Sequence, residues 1–149
     1  MNGNEYSAEI AGLKAAIRAA VIDAYEEGFR FFMSGMAEGF DLFAAETVIE
    51  LKKNFSEIAL VAVFPSADFS KKHSASVRKR IEKILENSDS AVSLCESYVP
   101  GCEHLRNKYM VDNSTRIIGY YNGLSGGTAH CWNYAVKNNL ELVNLYENI

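Results

Sequence analysis

The chain has 149 residues, 48% hydrophobic and 23% charged, which suits one globular domain with its own core. A net charge of −4 offers no general attraction to nucleic acid or anionic lipid, and no apolar run approaches the roughly 20 residues that span a bilayer. Three cysteines without paired spacing point away from a disulfide framework and towards reducing cytoplasm, and the opening MNGNEYSAEIAGLK lacks the basic-then-apolar order of a signal peptide.

In chain order, Ser7 is placed to cap a helix whose apolar face reads Ile10, Leu13, Ile17, Ala20, Val21 and Ala24 and which ends at Gly28. A strand is predicted over 29–34 and a helix from Asp41 to Lys53. The run IALVAVF (58–64) is apolar without alternation, the mark of a strand covered on both faces, and Pro65 is expected to end it. A helix follows from Lys72 to Glu86, with Val77, Ile81, Ile84 and Leu85 on one side. SAVSLC (90–95) reads as the third strand, and GCEHLRNKYMVDNS holds a shorter helix. TRIIGYY (115–121), the helix TAHCWNYAVKNN and LELVNL (140–145) complete the series. This αβαβαβαβαβ order predicts an α/β fold, Rossmann-like and doubly wound. Its sheet is mainly parallel, of about five strands, with helices on both faces and a single domain over 1–149.

Ligands of such sheets bind at the carboxyl ends of the strands, and two glycine loops fall there. The first, MSGMAEGFD (33–41), carries Ser34, Gly35, Glu38, Gly39 and Asp41. Its glycines let a phosphate or ribose approach the backbone, and Asp41 can accept hydrogen bonds from ribose hydroxyls. The plainer alternative is a strand-to-helix turn with Asp41 as N-cap. The second loop, 122–128, holds Gly123, Ser125, Gly126, Gly127 and Thr128. Adjacent glycines before a hydroxyl at a helix start make a nest of N–H groups suited to an anion, while Thr128 can cap the helix or meet a phosphate.

Between the loops, RNKYMVDNS brings Arg106 and Asn107 towards the same edge, where the guanidinium fork suits a phosphate or carboxylate. Asp112 and Asn113 end that helix and are expected to fix a turn, with Tyr109 and Met110 divided between core and site. Cys95, Cys102, His104, His130 and Cys131 crowd the ligand edge without a metal-binding spacing, so no metal is assigned. Cys131 reads as a packing residue, its rival role being a nucleophile activated by the first turn of a helix. The basic run KKHSASVRKRIEK (71–83) spreads around a helix and lacks interleaved aromatics, so it reads as a solvated face rather than a nucleic-acid contact.

Two stretches together, SGMAEGFDLFAAETVIELK and YVPGCEHLRNKYMVDNSTRIIGYYNGLSGGTAHCWNYAVKNNLELVN, resemble the YpsA-like family of the SLOG superfamily of Rossmann-like bacterial proteins. The resemblance covers nearly the whole chain. It implies binding or sensing of a nucleotide or nucleotide-derived ligand, such as ADP-ribose or an NAD-like molecule, through the two loops. No other cofactor is implied, and no reaction is established for the family. More distant relatives include the lysine-decarboxylase-like phosphoribohydrolases, which raises the alternative of an enzyme cleaving an N-glycosidic bond, and the DNA-processing protein A family. In the phosphoribohydrolases a glutamate three residues after the counterpart of Thr128 takes part in catalysis; here that position is Cys131. Glu38, Asp41 and Glu103 are the carboxylates left near the site. Family members usually open with a strand ending in a Gly-His-Arg-Pro-like segment, which has no counterpart in residues 1–149. The strands at 29–34 and 90–95 are expected to flank its place, which closes by their direct pairing near Phe32 and Val92 or is filled by the amino-terminal residues or another chain; direct pairing is the expectation, because MNGNEYS is polar and short for a buried central strand. Such closure would narrow the pocket and favour self-association into a homo-oligomer.

Overall fold

Strand and helix alternate throughout the computed structural model, which describes residues 3–124 and 126–148. The elements are α1 (Gly3–Glu26), β1 (Phe31–Ser34), α2 (Phe40–Lys52), β2 (Ala59–Ser66), α3 (Ala75–Glu86), β3 (Ser90–Cys95), α4 (Cys102–Asp112), β4 (Arg116–Gly119), α5 (Gly127–Lys137) and β5 (Glu141–Asn144). Short 3-10 turns occupy Phe69–Lys72 and Leu145–Asn148. α1 buries Ile17, Val21 and Ala24 along one stripe, and Gly28 turns the chain out of it with a φ of +106°. Ser7 lies inside α1 rather than at its cap, because the helix already begins at Gly3. Ser74 does cap α3, its hydroxyl accepting from Val77 N–H at 3.4 Å. Val77, Ile81 and Ile84 of α3 are buried, but Leu85 falls off the stripe and is exposed.

All strand pairs are parallel. β1, β2 and β3 form one sheet in that order, and β4 pairs with β5 in a second. β2 holds the middle of the first sheet because Leu60, Ala62, Val63 and Phe64 are buried and can be covered on both faces. Pro65 does not end β2, which continues to Ser66. Ala59 N–H donates to Arg30 O, so the odd-numbered residues of β2 turn their N–H groups towards β1. The last β1 partner is Ala62, so Pro65 sits past the end of β1 and no ladder bond loses its donor.

The expected ladder between Phe32 and Val92 does not form. Phe32 pairs with Leu60 and Val92 with Val63, so β2 stands between β1 and β3, and β3 is an outer edge. The open place lies between β1 and β4 instead. Two crossovers carry the chain outwards from β1 to β2 to β3, after which it returns past β1 to lay down β4 and β5. The closure expected between the first and third strands therefore has no basis, and neither has the narrowing of the pocket that would follow from it.

Contacts at both ends show that β4 runs in the same direction as β1. At its amino end Arg116 reaches Asp23 of α1 at 3.7 Å and Glu27, just past that helix, at 2.7 Å, and its guanidinium lies 4.8 Å from the centre of the Phe29 ring. At the carboxyl end the Phe40 and Tyr120 rings stack with centres 6.5 Å apart. α1, α2 and α3 pack side by side, and α4 packs on α5 and against β2. That split is what right-handed crossovers produce when the winding direction reverses between β3 and β4.

Candidate functional site at the reversal of strand order

A reversal of strand order opens a crevice at the carboxyl ends of the strands on either side of it. Here the crevice is a cavity of about 600 Å³ between β1 and β4. Of the residues singled out in the sequence, Ser34, Gly35, Glu38 and Asp41 line it from the first loop, Arg106 and Asn107 from α4, and Thr128 and Cys131 from α5. Gly39 and Gly126 are the N-cap residues of α2 and α5, with φ of +97° and +140°. Neither has another atom within 4 Å of where a Cβ would stand, so their requirement for glycine is conformational. Gly123 also has a positive φ, +87°, but does not line the cavity; Gly127 opens α5. Ser125 lies outside the described residues.

The first loop is held by its own side chains. Ser34, buried, donates its hydroxyl to Asp41 O at 2.9 Å and accepts from Met36 N–H at 3.2 Å. Asp41 is the second residue of α2 and not its cap, and its Oδ2 accepts from Ala37 N–H at 3.3 Å. Burial pushes the Asp41 carboxyl above its usual range, partly offset by the nearby Arg106 charge and the Ala37 hydrogen bond. Gly35 has a steric reason to be glycine: a Cβ there would stand 2.9 Å from Asp41 Oδ2 and 3.0 Å from Arg106 Cδ. Met36 is fully buried with a φ of +62°, a left-handed conformation held by the surrounding packing. A glycine four positions upstream of the helix cap draws attention in a sequence; a left-handed methionine beside it carries no such signal.

Arg106 is buried and turned inwards. Its Nη1 donates to Gly35 O at 2.9 Å and its Nε to Asn107 Oδ1 at 3.0 Å. It therefore ties α4 to the first loop before it meets any ligand. Asp112 and Asn113 sit at the far end of α4, where Asp112 accepts from Lys108 and from the Tyr134 hydroxyl at 2.8 Å. Cys131 is half-buried, and burial together with the neighbouring Asp41 raises its thiol pKa. This is the opposite of what a thiolate nucleophile, the rival role of this residue, needs. His104 and His130 pair across α4 and α5 with ring centres 4.2 Å apart; His104 lines the cavity and His130 does not. Among the described residues no group of three or more His, Cys, Asp or Glu is arranged to hold a metal ion. In the basic run, Arg80 pairs with Glu46 at 2.6 Å on the neighbouring α2, while Arg78, Lys79 and Lys83 are solvated.

The sequence matches one family of proteins. The sequence model described as the YspA SLOG family matches residues 4–146. The chain belongs to the YpsA family. Its curated relatives include UPF0398 protein BH1768 of Halalkalibacterium halodurans, 30% identical over 75% of this chain and 60% of that protein. The uncharacterized SPbeta prophage-derived protein YoqJ of Bacillus subtilis is 30% identical over 71% of this chain and 69% of its own length. UPF0398 protein BBR47_29830 of Brevibacillus brevis is 24% identical over 84% of this chain and 68% of its own. The alignments thus span about two thirds of the curated relatives. Among the described residues no helix is long and apolar enough to cross a membrane.

Proposed function

We propose that the domain binds or senses a nucleotide or nucleotide-derived ligand, such as ADP-ribose or an NAD-like molecule, at the carboxyl edge of its strands. The observation that carries this reading is the convergence of the first loop and the α5 start on one cavity where the strand order reverses. The Gly126 backbone and Thr128 hydroxyl at the start of α5 suit a phosphate, since a helix N-terminus presents unpaired N–H groups and the positive end of its dipole. Asn107 and Glu38 line the same space and suit ribose hydroxyls or an amide edge. Arg106 acts by holding Gly35 O, and with it the loop.

Thermal-shift measurements with AMP, ADP, ADP-ribose and NAD test this directly. A ligand at a hundredfold excess over its Kd stabilises by about 2.7 kcal/mol, which corresponds to roughly 5–11 °C in Tm for a domain near this size. No shift with any of the four at millimolar concentration would overturn the reading.

One observation favours the second reading, a hydrolase cleaving an N-glycosidic bond. Asp41 is a buried carboxyl beside the cavity that holds its proton above the usual range, as a general acid must. Release of free base from AMP that disappears in Asp41→Asn would decide for the enzyme. Binding without turnover decides for the sensor.

A further inference from the structure

Three aromatic side chains stand together at the carboxyl edge of β4 and β5. Tyr120 follows β4 directly, Phe40 opens α2 and Tyr146 lies in the 3-10 turn after β5. The Phe40 and Tyr120 rings are inclined by only 23°, whereas Tyr146 meets Tyr120 at 76° with centres 5.2 Å apart. Both tyrosines stay open to solvent, Tyr120 at 40% and Tyr146 at 46% exposure, and Phe40 and Tyr120 line the cavity. One side chain fixes the main chain around them. Asn144 Oδ1 accepts from Tyr121 N–H at 3.0 Å and from Tyr146 N–H at 3.1 Å, and its Nδ2 donates to Tyr121 O at 2.9 Å. A core aromatic is covered; Tyr120 is held in place and left uncovered. A ring fixed in this way loses little freedom when a flat group is laid on it.

We infer that Tyr120 is the stacking platform for the base of the ligand, and that the site selects purine nucleoside phosphates by the area of the base and not by reading its edge. This rests on the nucleotide reading above. The direction of the ligand follows from which donors are already used. In the first loop Met36 N–H is bonded to Ser34 Oγ and Ala37 N–H to Asp41 Oδ2, so those donors serve the loop itself. The phosphate end therefore belongs at the start of α5, where Thr128 lines the same cavity as Tyr120. Tyr120 and the Gly126 N-cap are the two ends of one connection, from β4 to α5. A molecule with a phosphate at one end and a flat ring at the other spans it. An aromatic face takes any base through its π-surface, and the pull grows with the stacked area. Selection by hydrogen bonds would call on amides beside the ring, and the two nearest in the chain serve the main chain instead. Asn144 holds Tyr121 and Tyr146, and Asn122 Oδ1 accepts from Leu124 N–H at 3.0 Å. Purines, with two fused rings, are preferred to pyrimidines, while adenine and guanine are treated alike.

Calorimetric titration of the full chain with AMP, GMP, UMP and ribose 5-phosphate, on the parent and on Tyr120→Leu and Tyr120→Phe, tests this. Leucine keeps apolar bulk and removes the π-face, whereas phenylalanine keeps the face. Tyr120→Leu is expected to bind AMP about tenfold more weakly than the parent and ribose 5-phosphate equally well, while Tyr120→Phe holds AMP within about threefold. In the parent, GMP is expected within about threefold of AMP, with UMP weaker than both. Parent-like AMP affinity in Tyr120→Leu overturns the inference, as does an AMP loss in Tyr120→Phe as large as in Tyr120→Leu. An equal loss of ribose 5-phosphate in Tyr120→Leu also overturns it, because the substitution would then have disturbed the phosphate end. So does GMP binding about tenfold weaker than AMP, which would mean that the base edge is read. Ribose 5-phosphate bound by the parent as tightly as AMP leaves the phosphate site standing and removes the base platform. A parent that binds none of the four at millimolar concentration fails at the nucleotide reading itself, and this inference falls with it.

Discussion

Replacing Gly35 by alanine tests the tightest junction in the site. The added Cβ would stand 2.9 Å from Asp41 Oδ2, 3.0 Å from Arg106 Cδ and 3.2 Å from Arg106 Nε, all closer than ordinary carbon contacts of about 3.5–4.0 Å. Neither neighbour has room to retreat. Arg106 is pinned by its hydrogen bond to Gly35 O, and Asp41 by Ala37 N–H and by its place in the first turn of α2. Both are inside the protein, so the strain passes into the loop and not into solvent. Overpacking of this kind costs typically about 1–3 kcal/mol. For a domain of roughly this length each kcal/mol moves Tm by about 2–4 °C, so a fall of about 4–8 °C is expected for a cost near 2 kcal/mol. Differential scanning calorimetry of parent and Gly35→Ala is the assay. A variant melting within 1 °C of the parent would refute the account of why this residue is glycine, and with it the claim that Arg106 and Asp41 are locked together against the loop.

Three other outcomes follow from the same geometry. Gly119→Ala would bring a Cβ to 2.9 Å from Trp132 Cζ3, so the emission of this single tryptophan should shift to longer wavelength as the ring is pushed out; an unchanged spectrum would contradict the contact. Burial raises the Asp41 pKa, so the folded chain holds that proton more tightly than the unfolded chain, and stability falls as pH rises from the unfolded value near 3.9 through the raised folded one. Asp41→Asn cannot ionise, so the difference in urea midpoint between variant and parent should move in the variant's favour across that window and then level off; a difference independent of pH would show the carboxyl to be unperturbed. Gly126→Val places a β-branched residue at a φ of +140° and blocks approach to the α5 start, so calorimetric titration should show ADP affinity lost while α5 still forms; unchanged affinity would reduce this loop to a turn.

Composition and periodicity were enough to determine the class of fold, the order of its elements and the edge at which both glycine loops lie. The reason is local: a short unbroken apolar run rich in β-branched residues, such as 58–64, fits a covered strand, and a 3.6-residue stripe such as Ile17, Val21 and Ala24 fits the inner face of a helix. Tertiary structure alone decided which strands are neighbours. Nothing in the sequences of β1, β2 and β3 states that β2 stands between the other two, because parallel pairing is settled by crossover direction and by the packing of helices from distant parts of the chain. The same holds for the inward turn of Arg106 onto Gly35 O, 71 positions away, and for the left-handed backbone of Met36. It holds above all for the break between the two sheets, because which strand edges pair is a property of the packed chain, and the amino-acid sequence records side chains, not the hydrogen-bond partners of the main chain.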